Sequence, residues 1–282
     1  MSLRKTSLPP GWHPQDPDEI VGFLSPFTGA AGVSPVRAAI APHAGWLYSG
    51  KIAAKAIARL DRKIETIAII GGHLPSGRQP LFAMESAVST PLGRMEMDAE
   101  LRSAMLMETG GLEDNIPGNT VEVILPMAHF FFPGASLLWM RLPDDPSSFD
   151  SGRRLAEAAE RLGRSLAVVA SADFTHYGRN YGFAPKGEGQ QALRWVREVN
   201  DRRLIDAIKS GNPAETLERA REDRSSCSAG AVIGAMGFAQ AAGLGSARLI
   251  EYGTSADAKC ASMQRSFVSY AAFVFEAGKS AE

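Results

Sequence analysis

The chain has 282 residues, of which 45% are hydrophobic and 22% charged, with a formal net charge of −1. That length supports a sizeable core, and the near-neutral charge gives no electrostatic reason to expect nucleic acid or an anionic membrane as a partner. Two cysteines, Cys227 and Cys260, are too few for a disulfide scaffold and suit a reducing compartment. No run approaches the ~18 apolar residues of a membrane span. The N-terminus lacks an apolar signal core, so the expected location is the cytoplasm.

Residues 1–34 read as an irregular arm rich in Pro and Gly, and residues 35–278 as one domain. VRAAIA (36–41) reads as a strand, followed by the break PHAGWLYSG and the helical pattern KIAAKAIARL. TIAII (66–70) reads as a strand ending in GGHLPSG, and 80–88 as another. Residues 98–110 have helical spacing, with Asp98 at the start and glycine at the end. VEVILPMAHFFF (121–132) reads as a helix bent near Pro126. SLLWMRL (136–142) and LAVVAS (166–171) are strands flanking the amphipathic helix GRRLAEAAERLG. Residues 190–211 form a long charged helix, and Pro213 opens the next. SAGAVIGAMGFAQAAG (228–243) is apolar nearly all round and should be buried. ARLIEYG and SFVSYAAFVFE close the chain as strands. The alternation predicts an α/β fold, a single three-layer α/β/α domain with a mostly parallel sheet.

Five histidines are present. His43, His73 and His176 each follow a predicted strand, in a break with Gly or Pro nearby. On parallel neighbouring strands these breaks would converge at one sheet edge, where open α/β proteins build their sites. Pro42 ends the first strand because it cannot donate to the ladder. Two imidazoles and one anionic ligand make a set for a divalent metal, and a third imidazole could serve as acid or base. Asp173, three residues before His176, could orient that imidazole or cap the following turn. Cys227 precedes the buried helix, and a thiol at a helix N-terminus is biased towards thiolate. It could be a metal ligand or a buried apolar side chain. Cys260 has no such setting. His13 reads as a surface residue of the arm, and His129 as a hydrogen-bonded core residue. Glu122, in an apolar stretch, needs a partner if buried. No P-loop, GxGxxG or GxSxG motif is present.

In order along the chain, PHAGWLYSG (42–50), His73, VEVILP (121–126), SADFTHYG (171–178), Cys227, YGTSADAK and SYAAFVF resemble the Memo-like family, protein B of the AmmeMemoRadiSam system. That family is in turn similar to the catalytic subunit of extradiol non-haem iron dioxygenases. The resemblance implies an α/β/α domain binding a redox metal, iron or copper, with zinc as a further option. His43 and His73 would then be imidazole ligands, with Cys227 where a carboxylate is wanted. His176 and Asp173 would be catalytic, and Glu122, Asn119 and Tyr48 would line or support the pocket. The chain departs from the family pattern at the IGGHLP turn, at Asn119 and at CSAG. The implied substrate is a small molecule or a modified peptide. Alternative functions are a zinc-type hydrolase using His43, His73 and Asp173, or a peptide-binding module without turnover.

Overall fold

The computed structural model describes residues 2–30, 36–258 and 265–277. The arm is not irregular throughout. It opens with β1 (Leu3–Arg4) and contains α1 (Pro17–Leu24), then a 3₁₀ stretch, Ser25–Ala30. Asp16 accepts from Asp18 N, and Pro17 supplies a first position that needs no N–H donor. The sequence reading passed over this N-cap and proline signal.

β2 (Val36–Ala41) leads through a π-helical turn, Trp46–Gly50, into α2 (Lys51–Ile57). β3 (Thr66–Leu74) runs on past the TIAII stretch and through His73. The stretch 80–88 is two strands, β4 (Leu81–Phe82) and β5 (Ala87–Thr90), and β5 pairs back with β6 (Gly93–Glu96). α3 (Ala99–Thr109) is capped by Asp98, which accepts from Leu101 N, and ends at a left-handed Gly110. After β7 (Leu112–Glu113) come α4 (Asn119–Glu122) and α5 (Leu125–Phe131). These replace the single bent helix expected there. Pro126 lies in the first turn of α5, where the missing N–H costs nothing, so it starts a helix rather than bending one.

β8 (Ser136–Pro143), α6 (Ser147–Arg161), β9 (Leu166–Ser171) and the short β10 (His176–Gly178) follow. The long charged helix is α7 (Gln190–Trp195), a π segment Val196–Asn200 and α8 (Asp201–Ser210). α9 (Pro213–Glu222), the buried α10 (Ala229–Ala241), β11 (Leu244–Thr254) and β12 (Ser266–Ala277) complete the chain.

The main sheet runs β10-β12-β2-β9-β3-β8-β4-β7, with β11 also paired to β12. β2, β9, β3 and β8 are parallel neighbours. β12 is antiparallel to β2, β10 and β11, and β4 is antiparallel to β8. The sheet is therefore mixed rather than mostly parallel. A parallel return from β11 to β12 would need a long crossover, and residues 255–265 are too few to supply one.

Along β3 the alternating side chains enter two cores. Ile67 and Ile69 pack with α2 and α5 residues on one face; Ala68 and Ile70 pack with α6 and α10 residues on the other. This is the α/β/α layering expected. Among the described residues, no helix is long and apolar enough to cross a membrane.

Candidate metal centre

The order β2-β9-β3 places the chain segments carrying His43, Asp173–His176 and His73 side by side. His43 follows Pro42 at the end of β2 and is buried. Its backbone N–H donates to Asp173 Oδ1 at 2.7 Å, which ties the β2 break to the β9 break. Its ring is held by Ser171, whose Oγ lies 3.0 Å from Nδ1, leaving Nε2 3.4 Å from Cys227 Sγ. The His43 and His73 rings stand perpendicular, with centroids 5.1 Å apart.

Cys227 arrives from the opposite layer. Its backbone N–H donates to Asp173 O at 3.2 Å, just before α10 begins. The approach depends on Gly72, where an added Cβ would lie 2.8 Å from Ser228 Cα. His73 itself has a left-handed backbone (φ 56°), a conformation that costs a non-glycine residue ~1–2 kcal/mol. One donor atom from each of His43, His73 and Cys227 lies within 4.8 Å of the others. Ligands at ~2.0–2.3 Å from a tetrahedral ion sit about 3.3–3.8 Å apart, so a modest closure suffices.

The surroundings keep both imidazoles in their neutral, metal-ligating form. Burial first, then His176 and Arg141, press the His43 imidazole down to about 3. Burial, then His43 and His176, press His73 to about 3. Both rings are therefore neutral at physiological pH, with lone pairs free for a metal. The Cys227 thiol is pushed up, by burial and then by Asp173. This reverses the helix-terminus expectation: removal from water outweighs the helix dipole. Burial also raises Asp173 to about 6, opposed by His176 and by the His43 and Ala44 N–H groups.

Asp173 does not hold the His176 ring, contrary to the orienting role considered above. His176 Nδ1 lies 3.1 Å from Phe174 O, while the Asp173 carboxylate serves the β2 turn. Glu122 is also elsewhere than expected. It is buried and accepts from Ser7 N (2.6 Å), Ser7 Oγ (2.8 Å) and Leu8 N (3.0 Å), so it fastens the arm rather than a histidine. Asn119 donates to His43 O at 3.3 Å and, with Tyr48, lines the pocket. His13 is buried against Trp46, not at the surface, and His129 pairs with Thr90 Oγ1 at 2.7 Å in the core. Cys260 lies outside the described residues.

The centre opens into a cavity of about 490 Å³ lined by His43, His73, Asp173, His176, Trp12 and Tyr181, among others. Sequence reasoning missed Ser171, Trp12, Tyr181 and Arg141. The last left a signal, a charge inside the apolar run SLLWMRL. Its guanidinium is buried and pairs with Asp114 (Nε–Oδ2 2.9 Å).

Compared with known proteins, the chain matches the family model described as "Memo-like protein" over residues 4–274. It belongs to the Memo-like family. A MEMO1 family protein of Methanopyrus kandleri is 30% identical over 252 residues, covering 85% of this chain and 83% of its own. One from Pyrococcus abyssi is 32% identical, covering 78% and 80%. An uncharacterized Escherichia coli K12 protein of known structure aligns with TM-score 0.44 and 12% identity over 83% of this chain and 99% of that one. In this Memo-like chain the quoted blocks PHAGWLYSG and SADFTHYG carry His43, Tyr48, Ser171, Asp173 and His176.

Proposed function

We propose that this Memo-like protein binds a redox-active metal, iron or copper, through His43, His73 and Cys227, and acts as a dioxygenase-like oxidoreductase on a small molecule. The observation that carries the reading is the convergence of three donor atoms within 4.8 Å beside the cavity. Two imidazoles and a thiolate favour iron, copper or zinc over magnesium or calcium. The bound metal would supply electron transfer and polarise substrate oxygen atoms.

The chain's own residues take the remaining tasks. Ser171 fixes the His43 ring so that Nε2 faces the centre. Cys227 gives up its proton on binding the ion. The Phe174 carbonyl occupies His176 Nδ1, which leaves Nε2 to exchange a proton with substrate. Trp12, Phe267 and Val268 form apolar walls that restrict water. Asp173 Oδ1 accepts from the His43 backbone N–H while Oδ2 lies 4.0 Å from His43 Nε2. The converging donor set takes Cys227 and not Asp173 as its third member, which favours the redox reading over the hydrolase one.

The test is reconstitution of the full chain with Fe(II) or Cu, followed by oxygen-uptake assays over a panel of small phenols and thiols. His176→Ala should keep the metal and lose turnover. Loss of metal in His176→Ala, with His73→Ala retaining it, would show that ligand and base are exchanged.

A further inference from the structure

The end of α9 carries an unexpected residue. Ser225 N bonds Ala220 O at 3.1 Å and Arg224 N bonds Arg221 O at 3.4 Å, the paired closure that follows a helix whose next residue turns left-handed. That left-handed residue is Arg224, with φ 48°. Glycine normally takes the position because any side chain strains it. An arginine there needs a reason in its side chain.

The side chain reaches the segment after β10. Arg224 Nη1 donates to Gly182 O at 3.0 Å and Nη2 to Tyr181 O at 3.2 Å, and the guanidinium lies 5.0 Å over the Phe183 ring. That segment folds back on itself, Gly178 N bonding Phe183 O at 2.7 Å. It carries Tyr181, whose ring meets the His176 imidazole edge-on at 5.0 Å and lines the cavity. The neighbouring residue is anchored at the same place. Asn200 Nδ2 donates to both Asp223 O and Thr175 Oγ1 at 2.9 Å, next to His176 in sequence.

We propose that Arg224 is a positioning residue for His176. Its guanidinium clamps the Tyr181–Gly182 turn so that the Tyr181 ring holds the imidazole plane, and the left-handed backbone is tolerated for that clamp. Three residues on, the same segment delivers Cys227, so the clamp and the thiol are set from one strip of chain. The catalytic consequence rests on the proton-transfer reading of His176. The positioning claim does not, and its test needs no metal.

The test uses the full chain labelled with ¹³C at histidine Cε1, in Arg224→Gly, Arg224→Ala, Arg224→Lys and wild type, with His176→Gln to assign the signal. Arg224→Gly removes the guanidinium while relieving the backbone, so its melting temperature should stay within about 3 °C of wild type. Its His176 signal should nonetheless move by several tenths of a ppm in ¹³C, or broaden, while those of His43 and His129 stay. Arg224→Ala should show the same signal change with a lower melting temperature, and Arg224→Lys a partial return. An unmoved His176 signal in Arg224→Gly would overturn the proposal and leave Arg224 as a helix end only. Equal displacement of His43 would also overturn it, by showing general loosening of the site.

Discussion

In the metal-free protein Cys227 is a protonated thiol, because burial and Asp173 raise it above its ordinary value. His43 and His73 are neutral above about 3 and release no proton at physiological pH. Above the Asp173 value of about 6, loading one ion should therefore release one proton, from Cys227, and affinity should rise roughly tenfold per pH unit up to about pH 8. Calorimetry of zinc binding in two buffers of different ionisation enthalpy measures that proton; a pH-independent affinity would remove Cys227 from the ligand set. Gly72 makes the approach of Cys227 to His73 possible. Gly72→Ala would push Ser228 away and should cost about 1–3 kcal/mol of stability. It should also weaken metal binding at least tenfold, read by thermal melting and a chelator competition. Ordinary stability with intact binding would show that the close approach is relieved elsewhere.

Among the elements, the arm is fastened by a buried carboxylate with three donors. Glu122→Gln keeps the shape but cannot accept as a charged group, and should cost about 1–3 kcal/mol locally. Trp12 belongs to the arm and its carbonyl accepts from Trp46 N at 2.8 Å, so the loosened arm should also open the cavity wall. Hydrogen exchange of residues 5–15 should speed up by tenfold or more in Glu122→Gln, with α6 and α10 unchanged; unaltered exchange would detach the arm from Glu122. Most strands and helices were legible from their period, and Asp98 and Gly110 marked α3 well. The two-residue strands were not, because tertiary pairing rather than local pattern defines them, and the α4/α5 break was misplaced because Pro126 reads equally as a kink or as a first-turn residue. Glu122 read correctly as a carboxylate in need of a partner, but its partner lies 115 positions away, a separation no local pattern can show.

For the whole molecule, the convergence of three histidine-bearing breaks was legible because parallel neighbouring strands leave their C-terminal ends at one edge. The antiparallel C-terminal strands escaped because nothing local distinguishes a hairpin strand from a crossover strand of similar composition. Global stability also carries a pH signature. Asp201 is buried, accepts from Thr175 Oγ1 and Tyr252 OH at 2.5 Å each, and is raised by burial from 3.8 to about 6. The folded state thus binds a proton more tightly than the unfolded chain. Its contribution to stability falls as pH rises from about 4 to about 6. Because Asp173, His43 and His73 also titrate differently on folding, the difference between wild type and Asp201→Asn isolates the effect. Relative to the variant, wild type should lose stability across that window in urea melts; a constant difference would contradict it. The central claim is that one metal ion is held by His43, His73 and Cys227, and elemental analysis tests it most directly. Protein prepared without chelator, alongside His43→Ala and Cys227→Ser, should carry close to one iron, copper or zinc per chain, falling below about a tenth in both variants. Equal metal content in all three would contradict it.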